Sequence, residues 1–124
     1  MSYSFSKIEK LKSKKQIETL FKEGKSISAY PLRIIYTKTE FKDDVQIKTA
    51  VSVSKRNFKK AVDRNHIKRL LRETYRLNKA EVFNNFTTQY ALMILYIGKD
   101  KPEFKTLNTT MKKLLEKFLS KVAE

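Results

Sequence analysis

The chain contains no cysteine, one histidine (His66), two glycines and two prolines among its 124 residues. The absence of cysteine excludes a disulfide framework and a thiolate zinc site. One histidine cannot supply a histidine-based metal cluster, and a Ser–His–Asp triad would have only this residue to use. Two glycines cannot form the glycine-rich loops that cradle phosphates. The composition therefore favours binding over catalysis, and we predict no catalytic side chain and no metal ligand.

Long hydrophobic runs are also missing. The longest apolar stretch covers eight residues, 90–97, whereas a membrane-spanning helix needs about 20. The first eleven residues alternate polar and basic side chains and lack the apolar run of a signal peptide. We therefore predict a cytoplasmic protein without membrane contact. A hydrophobic fraction of 40%, with eight Phe and six Tyr, is enough for one core, so we expect a single domain over residues 1–124.

Positive charge is abundant and unevenly distributed. The formal net charge is +15, and residues 55–79 hold ten basic and two acidic side chains, which is +8 in one fifth of the chain. A surface that only keeps a protein soluble would spread its charge. The concentration predicts a defined binding face for an anionic partner.

The hydrophobic pattern predicts alternating helices and strands. Ser13 and Gln16 have capping-box spacing and Gly24 stands at a C′ position, which predicts a helix over 14–23. Strands are predicted at 32–37 and 45–53, joined by a hairpin loop at 38–44. Helical spacing follows from about 58 to 79, then a strand buried on both faces at 90–97 and a helix from about 107 to 122. This pattern is typical of a mostly antiparallel sheet covered by helices.

The helix around residues 61–79 separates basic from apolar side chains. With Arg64 at zero on a helical wheel, the basic side chains and Asn65 fall within roughly 140°. The opposite arc holds Ile67, Leu70, Leu71, Thr74 and Leu77 and is expected to dock on the sheet, whereas Tyr75 is expected on the basic side. Like charges four residues apart repel by a few tenths of a kcal/mol per pair. An anionic partner would offset this repulsion, and arginine binds phosphate through two donors at once.

Several classes of binding protein could use such a helix. A generic RNA-binding or ribosome-associated domain, a DNA-binding regulator and an autonomous nuclease are the alternatives. The flanking strands argue against an all-helical DNA reader. The apolar arc lacks the Trp and Phe that are typical of a membrane-surface helix. Asp43 and Asp44 are adjacent and would point to opposite faces of a strand, so they do not form the carboxylate pair of a nuclease.

One family resemblance narrows this choice. Residues 64–76, RNHIKRLLRETYR, resemble the pattern R-N-R-x-K-R-x-x-R-E of the bacterial ribonuclease P protein component. Residues 11–24, with Phe21 and Gly24, resemble the first helix of that family. Residues 50–55 and the pair Ala61–Val62 resemble the segments that precede its motif. The resemblance covers about residues 11–97.

The resemblance implies both a fold and a function. The implied fold is an α+β two-layer sandwich of order α-β-β-β-α-β-α, with a mostly antiparallel four-stranded sheet and a left-handed strand–helix–strand crossover. The implied function is that of the protein subunit of an endoribonuclease that removes the 5′ leader from precursor tRNA. In that family the RNA subunit, with Mg²⁺, carries the chemistry. The implied partners are the catalytic RNA and precursor tRNA, and not DNA.

The resemblance also implies site residues. His66 departs from the motif because it replaces an arginine, and a neutral imidazole cannot make the same charged contact. The implied leader cleft contains Ile17, Phe21 and Tyr36, and ordinary core packing is the alternative role for Ile17 and Phe21. The predicted RNA-binding residues are Lys55, Arg56, Lys59, Lys60, Arg64, Asn65, His66, Lys68, Arg69, Arg72 and Arg76.

Overall fold

A computed structural model describes residues 9–41, 45–83 and 88–122. The predicted order α-β-β-β-α-β-α is confirmed. The first strand, between the first helix and residue 32, was not located by the pattern, because its apolar side chains are few. The elements are α1 (Lys14–Glu23), β1 (Lys25–Ala29), β2 (Leu32–Lys38), β3 (Ile47–Val53), α2 (Ala61–Val82), β4 (Tyr90–Tyr96) and α3 (Phe104–Val122).

The four strands form one mixed sheet in the order β1-β2-β4-β3. The pairs β1–β2 and β2–β4 are antiparallel, and the pair β3–β4 is parallel. The predicted hairpin across 38–44 is wrong, because β4 lies between β2 and β3; residues 42–44 of that loop lie outside the described residues. The apolar β4 takes an inner position, where both of its faces are covered. The hairpin that does form joins β1 to β2 through a turn with a cis Tyr30–Pro31 peptide.

The parallel β3–α2–β4 unit agrees with the crossover that the resemblance implies. Its left hand stays a prediction. The unit puts the basic helix directly after an edge strand of the sheet.

Helices cover both faces of the sheet. The larger core lies between the sheet and α2 with α3, where Ile67 and Phe118 pack against Ile34 and Ile94. On the other face, Leu20 of α1 packs in a smaller cluster with Met93 and other residues. The body is thus a two-layer sandwich to which α1 adds a partial third layer. None of the helices in the described ranges is long and apolar enough to cross a membrane.

A side-chain hydrogen bond fixes the start of α1, whereas the space available to Gly24 fixes its end. The Ser13 side chain accepts a hydrogen bond from the Gln16 amide at 3.3 Å, so the predicted cap is confirmed. Gly24 follows the last residue of α1 as predicted, but it is the C-cap residue instead of C′, and its φ of −69° is extended. The position needs glycine for space: a Cβ there would overlap the Leu20 carbonyl oxygen and lie 2.6 Å from Cγ2 of Ile35. The end of α1 therefore approaches β2 closely.

The buried side of α2 lies about 50° around the helix from the predicted arc. Tyr75, predicted on the basic side, is buried at 2% exposure, whereas Leu70 and Leu77 are only half-buried. The Thr49 hydroxyl on β3 donates to the Tyr75 oxygen at 2.9 Å. Asn78 donates to Asn108 of α3 at 2.8 Å. Because Tyr and Asn find polar partners inside, they occupy positions that a hydropathy pattern assigns to the surface.

The Thr49–Tyr75 contact should contribute measurably to stability. We expect Thr49→Val and Tyr75→Phe each to lower the free energy of unfolding by about 1 kcal/mol, since each removes one side of a buried hydrogen bond. The double variant should lose less than the sum of the two. Urea unfolding of the four proteins measures this coupling. Thr109→Val on the exposed side of α3 is the control and should change little; strictly additive losses would contradict the prediction.

Candidate nucleic-acid interface

The turn before α2 presents four cations to solvent. Phe58 is buried and packs its ring 6.0 Å from that of Tyr96, which anchors the turn in the core. Asn57 donates to the Gly98 carbonyl at 3.3 Å, and the Ser54 side chain accepts from the Arg56 amide at 3.1 Å. With the polar backbone held in this way, the remaining side chains point outward. The exposed cations are Lys55, Arg56, Lys59 and Lys60.

The solvent side of α2 continues this charged surface. Asn65, His66, Arg69 and Arg72 are exposed, and Lys68 is half-buried. Within the described residues, neither Arg69 nor Arg72 is in an ion pair. An arginine in that state keeps its donors available for a phosphate.

Arg64 and Arg76, at the ends of the predicted basic row, are engaged within the protein. Nη1 of Arg64 donates to the carbonyl oxygens of Phe58 and Lys59, both at 2.8 Å. Arg76 forms a two-point contact with Glu73, with its Nε 3.3 Å from Oε2. The hydrogen bond from Arg76 holds the pKa of the Glu73 carboxyl below its usual value. The structure thus separates these two arginines from the exposed members of the row.

A groove next to α2 adds cations that the sequence reasoning missed. The segment 10–12 runs beside the edge strand β3, where the Leu11 amide donates to the Thr49 carbonyl at 3.0 Å. Glu9 forms an ion pair with Lys79 of α2 and ties the segment down. The groove has a volume of about 200 Å³ and is lined by Lys10, Leu11, Lys12, Thr49, Ala50, Val51 and Arg72. No local motif could indicate the groove, because Lys12 and Arg72 come together only where the segment 10–12 and α2 both lie beside the edge strand β3.

The sheet face under α1 forms a second surface. Phe21 is 55% exposed, so the core-packing alternative is wrong for this residue. Ile17 is half-buried and packs against the small cluster around Leu20. A cavity of about 270 Å³ lies between α1 and the strands β2 and β4, and it is lined by Lys15, Gln16, Thr19, Thr37, Thr39 and Ala91. Small and polar side chains leave room there for a ligand.

Tyr36 does not belong to this surface, and its assignment to the cleft is corrected. It is 6% exposed and packs its ring 5.1 Å from Phe118 of α3, on the opposite face of the sheet. Residues of β2 alternate between faces, so Ile35 and Thr37 point towards α1 while Tyr36 points away. The sequence predicted the strand, but it did not predict which face of the sheet each side chain occupies.

The groups exposed at these surfaces are cations, polar side chains and one aromatic ring. No set of three or more His, Asp and Glu side chains among them could hold a metal ion. His66 is exposed at the surface of α2. Burial raises the pKa of Tyr75, so this phenol stays neutral in the core. The arrangement can bind a polyanion through many cations and can stack an aromatic ring on an unpaired base.

Comparisons with known proteins agree on one family. The family model described as Ribonuclease P matches residues 5–119. A ribonuclease P protein component from Porphyromonas gingivalis is 35% identical over 117 residues, covering 92% of this chain and 85% of the relative. A ribonuclease P protein component from Thermotoga maritima is 30% identical, covering 93% of each chain.

Solved structures show the same fold. The RNase P protein from Thermotoga maritima superposes with a TM-score of 0.69 at 24% identity, covering 88% of this chain and 96% of that chain. An RNase P protein from Staphylococcus aureus gives a TM-score of 0.60 at 20% identity, covering 94% and 95% of the two chains.

Removal of the Glu73 carboxylate should strengthen RNA binding. We expect Glu73→Gln to raise the affinity for a structured RNA about two- to threefold, because it frees Arg76 and removes a negative charge from the basic side of α2. Filter binding at several salt concentrations measures the effect. Glu81→Gln, which removes a carboxylate paired with Lys112 near the end of α2, is the matched control. Equal gains in RNA affinity for both variants would mean that the change in net charge explains the effect without a specific role for Arg76.

Proposed function

Because this chain belongs to the ribonuclease P protein family and is thereby the protein subunit of a tRNA-processing ribonucleoprotein, we propose that it contributes binding and no reacting group. The exposed cations of α2 and of the preceding turn bind the catalytic RNA. The surface under α1 binds the 5′ leader of precursor tRNA. The RNA subunit, with Mg²⁺, carries out the cleavage, and the complex works in the cytoplasm.

The observation that carries the proposal is the exposure of the cations in residues 55–72. Contact with about six phosphates of an RNA duplex would give a salt slope near −5, so binding would be strong and steeply salt-dependent. The proposed contacts come from the turn, from α2 and from the groove beside β3. They are Lys55, Arg56, Lys59, Lys60, Asn65, His66, Lys68, Arg69, Arg72 and Lys12.

The charge of this surface also supports a division of labour with the RNA. Mg²⁺ prefers oxygen ligands, usually carboxylates and phosphates, whereas the proposed interface is lined by cations that repel it. The residues of the interface therefore do not fit a magnesium site. Magnesium held by RNA phosphates would supply the Lewis-acid chemistry, whereas the protein residues neutralise phosphates and hold the leader in place.

The leader surface is supported by Phe21 and its surroundings. A single-stranded segment binds proteins through stacked bases and a backbone that follows polar or basic groups. Phe21 offers an exposed ring, and Lys15, Gln16 and Thr19 lie on the same helix beside the cavity. Ile17 is half-buried on the same helix and packs against the small cluster around Leu20.

Reconstitution tests the proposed function directly. The protein is mixed with a bacterial ribonuclease P RNA and a precursor tRNA, at a magnesium concentration where the RNA alone cleaves slowly. We expect faster 5′ cleavage and tighter precursor binding with the protein, and no cleavage by the protein alone. A lack of stimulation would contradict the proposal, and cleavage by the protein alone would assign the chemistry to this chain.

Phe21 should matter only when a leader is present. We expect Phe21→Ala to weaken binding of a leader-bearing precursor about fivefold, the lower range for loss of one base–aromatic stack, and to leave binding of leaderless tRNA unchanged. Phe104→Ala is the control, because Phe104 is an exposed aromatic residue on α3. Titration of the assembled complex with both RNAs measures the difference. Equal losses for the two RNAs would remove Phe21 from the leader surface.

A further inference from the structure

We infer that Arg64 is a positioning residue, which fixes the turn 55–60 against the start of α2 and so sets where Lys59 and Lys60 lie relative to the exposed cations of the helix. The inference rests on the proposed RNA-binding function of this surface. It assigns Arg64 a different role from the exposed arginines of the motif, Arg69 and Arg72, which contact RNA themselves in the proposed function.

The position of Arg64 on α2 explains why its side chain turns inward. On a helical wheel, the buried residues span about 100°, from Thr74 through Asn78 to Tyr75, and Arg64 falls inside this arc. It stands in the first turn of the helix, before Ile67, the first buried residue of α2, and its side chain reaches back over the turn. There its Nη1 meets the two carbonyl oxygens of Phe58 and Lys59.

Local electrostatics favour these contacts. The first turn of a helix carries partial positive charge, so a cation there is unfavourable unless it is compensated. Two carbonyl oxygens at 2.8 Å supply that compensation. Lys60, the N-cap residue, makes no side-chain capping hydrogen bond. Arg64 therefore joins the turn to a helix start that has no capping side chain.

Arg64 holds the backbone from which two exposed cations extend. Lys59 and Lys60 are exposed and lie next to the carbonyl group that Arg64 holds. The carbonyl of Phe58, the other acceptor, belongs to a residue anchored in the core. A fixed backbone between these points means that less entropy is lost when the lysines bind phosphate. Loss of Arg64 should therefore act through Lys59 and Lys60.

A double-mutant cycle tests this inference. We compare Arg64→Met, the paired change Lys59→Ala/Lys60→Ala, and all three changes together, and measure affinity for a bacterial ribonuclease P RNA over a range of salt. Positioning predicts that the first two proteins each lose affinity about tenfold. It also predicts that the triple variant loses little more than the paired change. Thermal unfolding of each protein checks that it is folded.

Arg69→Met provides the matched control. Arg69 is an exposed arginine on the same helix, and it should combine additively with the lysine changes because it acts independently. Additive losses for Arg64→Met as well would overturn the inference and make Arg64 a direct phosphate contact. If the lysine changes alone have no effect, the inference also fails. If none of the variants, including Arg69→Met, changes affinity, the proposed RNA-binding face itself is wrong.

A second variant covers the case in which Arg64→Met does not fold. Arg64→Lys keeps the positive charge, but its ammonium ends one bond short of Nη1. Positioning predicts a clear loss of affinity that is again non-additive with Lys59→Ala/Lys60→Ala. A direct phosphate contact predicts affinity close to that of the unchanged protein, since lysine also binds phosphate as a point charge.

Discussion

Like-charged side chains four residues apart repel one another and destabilise a helix. The helix α2 therefore depends on the packing of its opposite side against the rest of the protein. In α2 that packing is the burial of Ile67, Leu71 and Tyr75 against the sheet and α3. Burying each large apolar side chain contributes about 1.5–3 kcal/mol, against a few tenths for each repulsive pair. The free energy gained by packing therefore far exceeds the cost of the repulsion. Packing also decides which basic residues face solvent, because it fixes the rotation of the helix.

Acidic residues determine how the rest of the charge is used. Glu73 engages Arg76, Glu9 engages Lys79, and Asp63 in the first turn of α2 engages Lys101. These ion pairs neutralise cations around the edge of the proposed interface. Carbonyl groups engage Arg64. The cations in the middle of α2 and in the preceding turn stay exposed. The proposed RNA surface thus uses cations of α2 and of the preceding turn that, within the described residues, no ion pair or carbonyl group engages.

The edge strand β3 connects the parts of the proposed interface. It leads directly into the cationic turn, supports Tyr75 through Thr49, and pairs along its outer side with the segment that carries Lys12. Its other neighbour, β4, carries Ala91 into the cavity beside α1. Displacement of β3 would therefore disturb the turn, the groove and the docking of α2 together. Such coupling agrees with the proposed function, in which the two surfaces hold two RNA segments in a fixed relation.

The sequence by itself determined the three helices, three of the four strands, the concentration of charge on α2 and the family motif, because each depends on local spacing. It located the helices to within a few residues, and it identified Phe21 as a candidate for an exposed site. Only the tertiary structure decided that β4 separates β2 from β3, that Tyr36 and Tyr75 are core residues, and that Lys12 lies beside Arg72. Those features depend on contacts between residues far apart in the chain, and a hydropathy pattern cannot show which buried hydroxyl or guanidinium will find a partner.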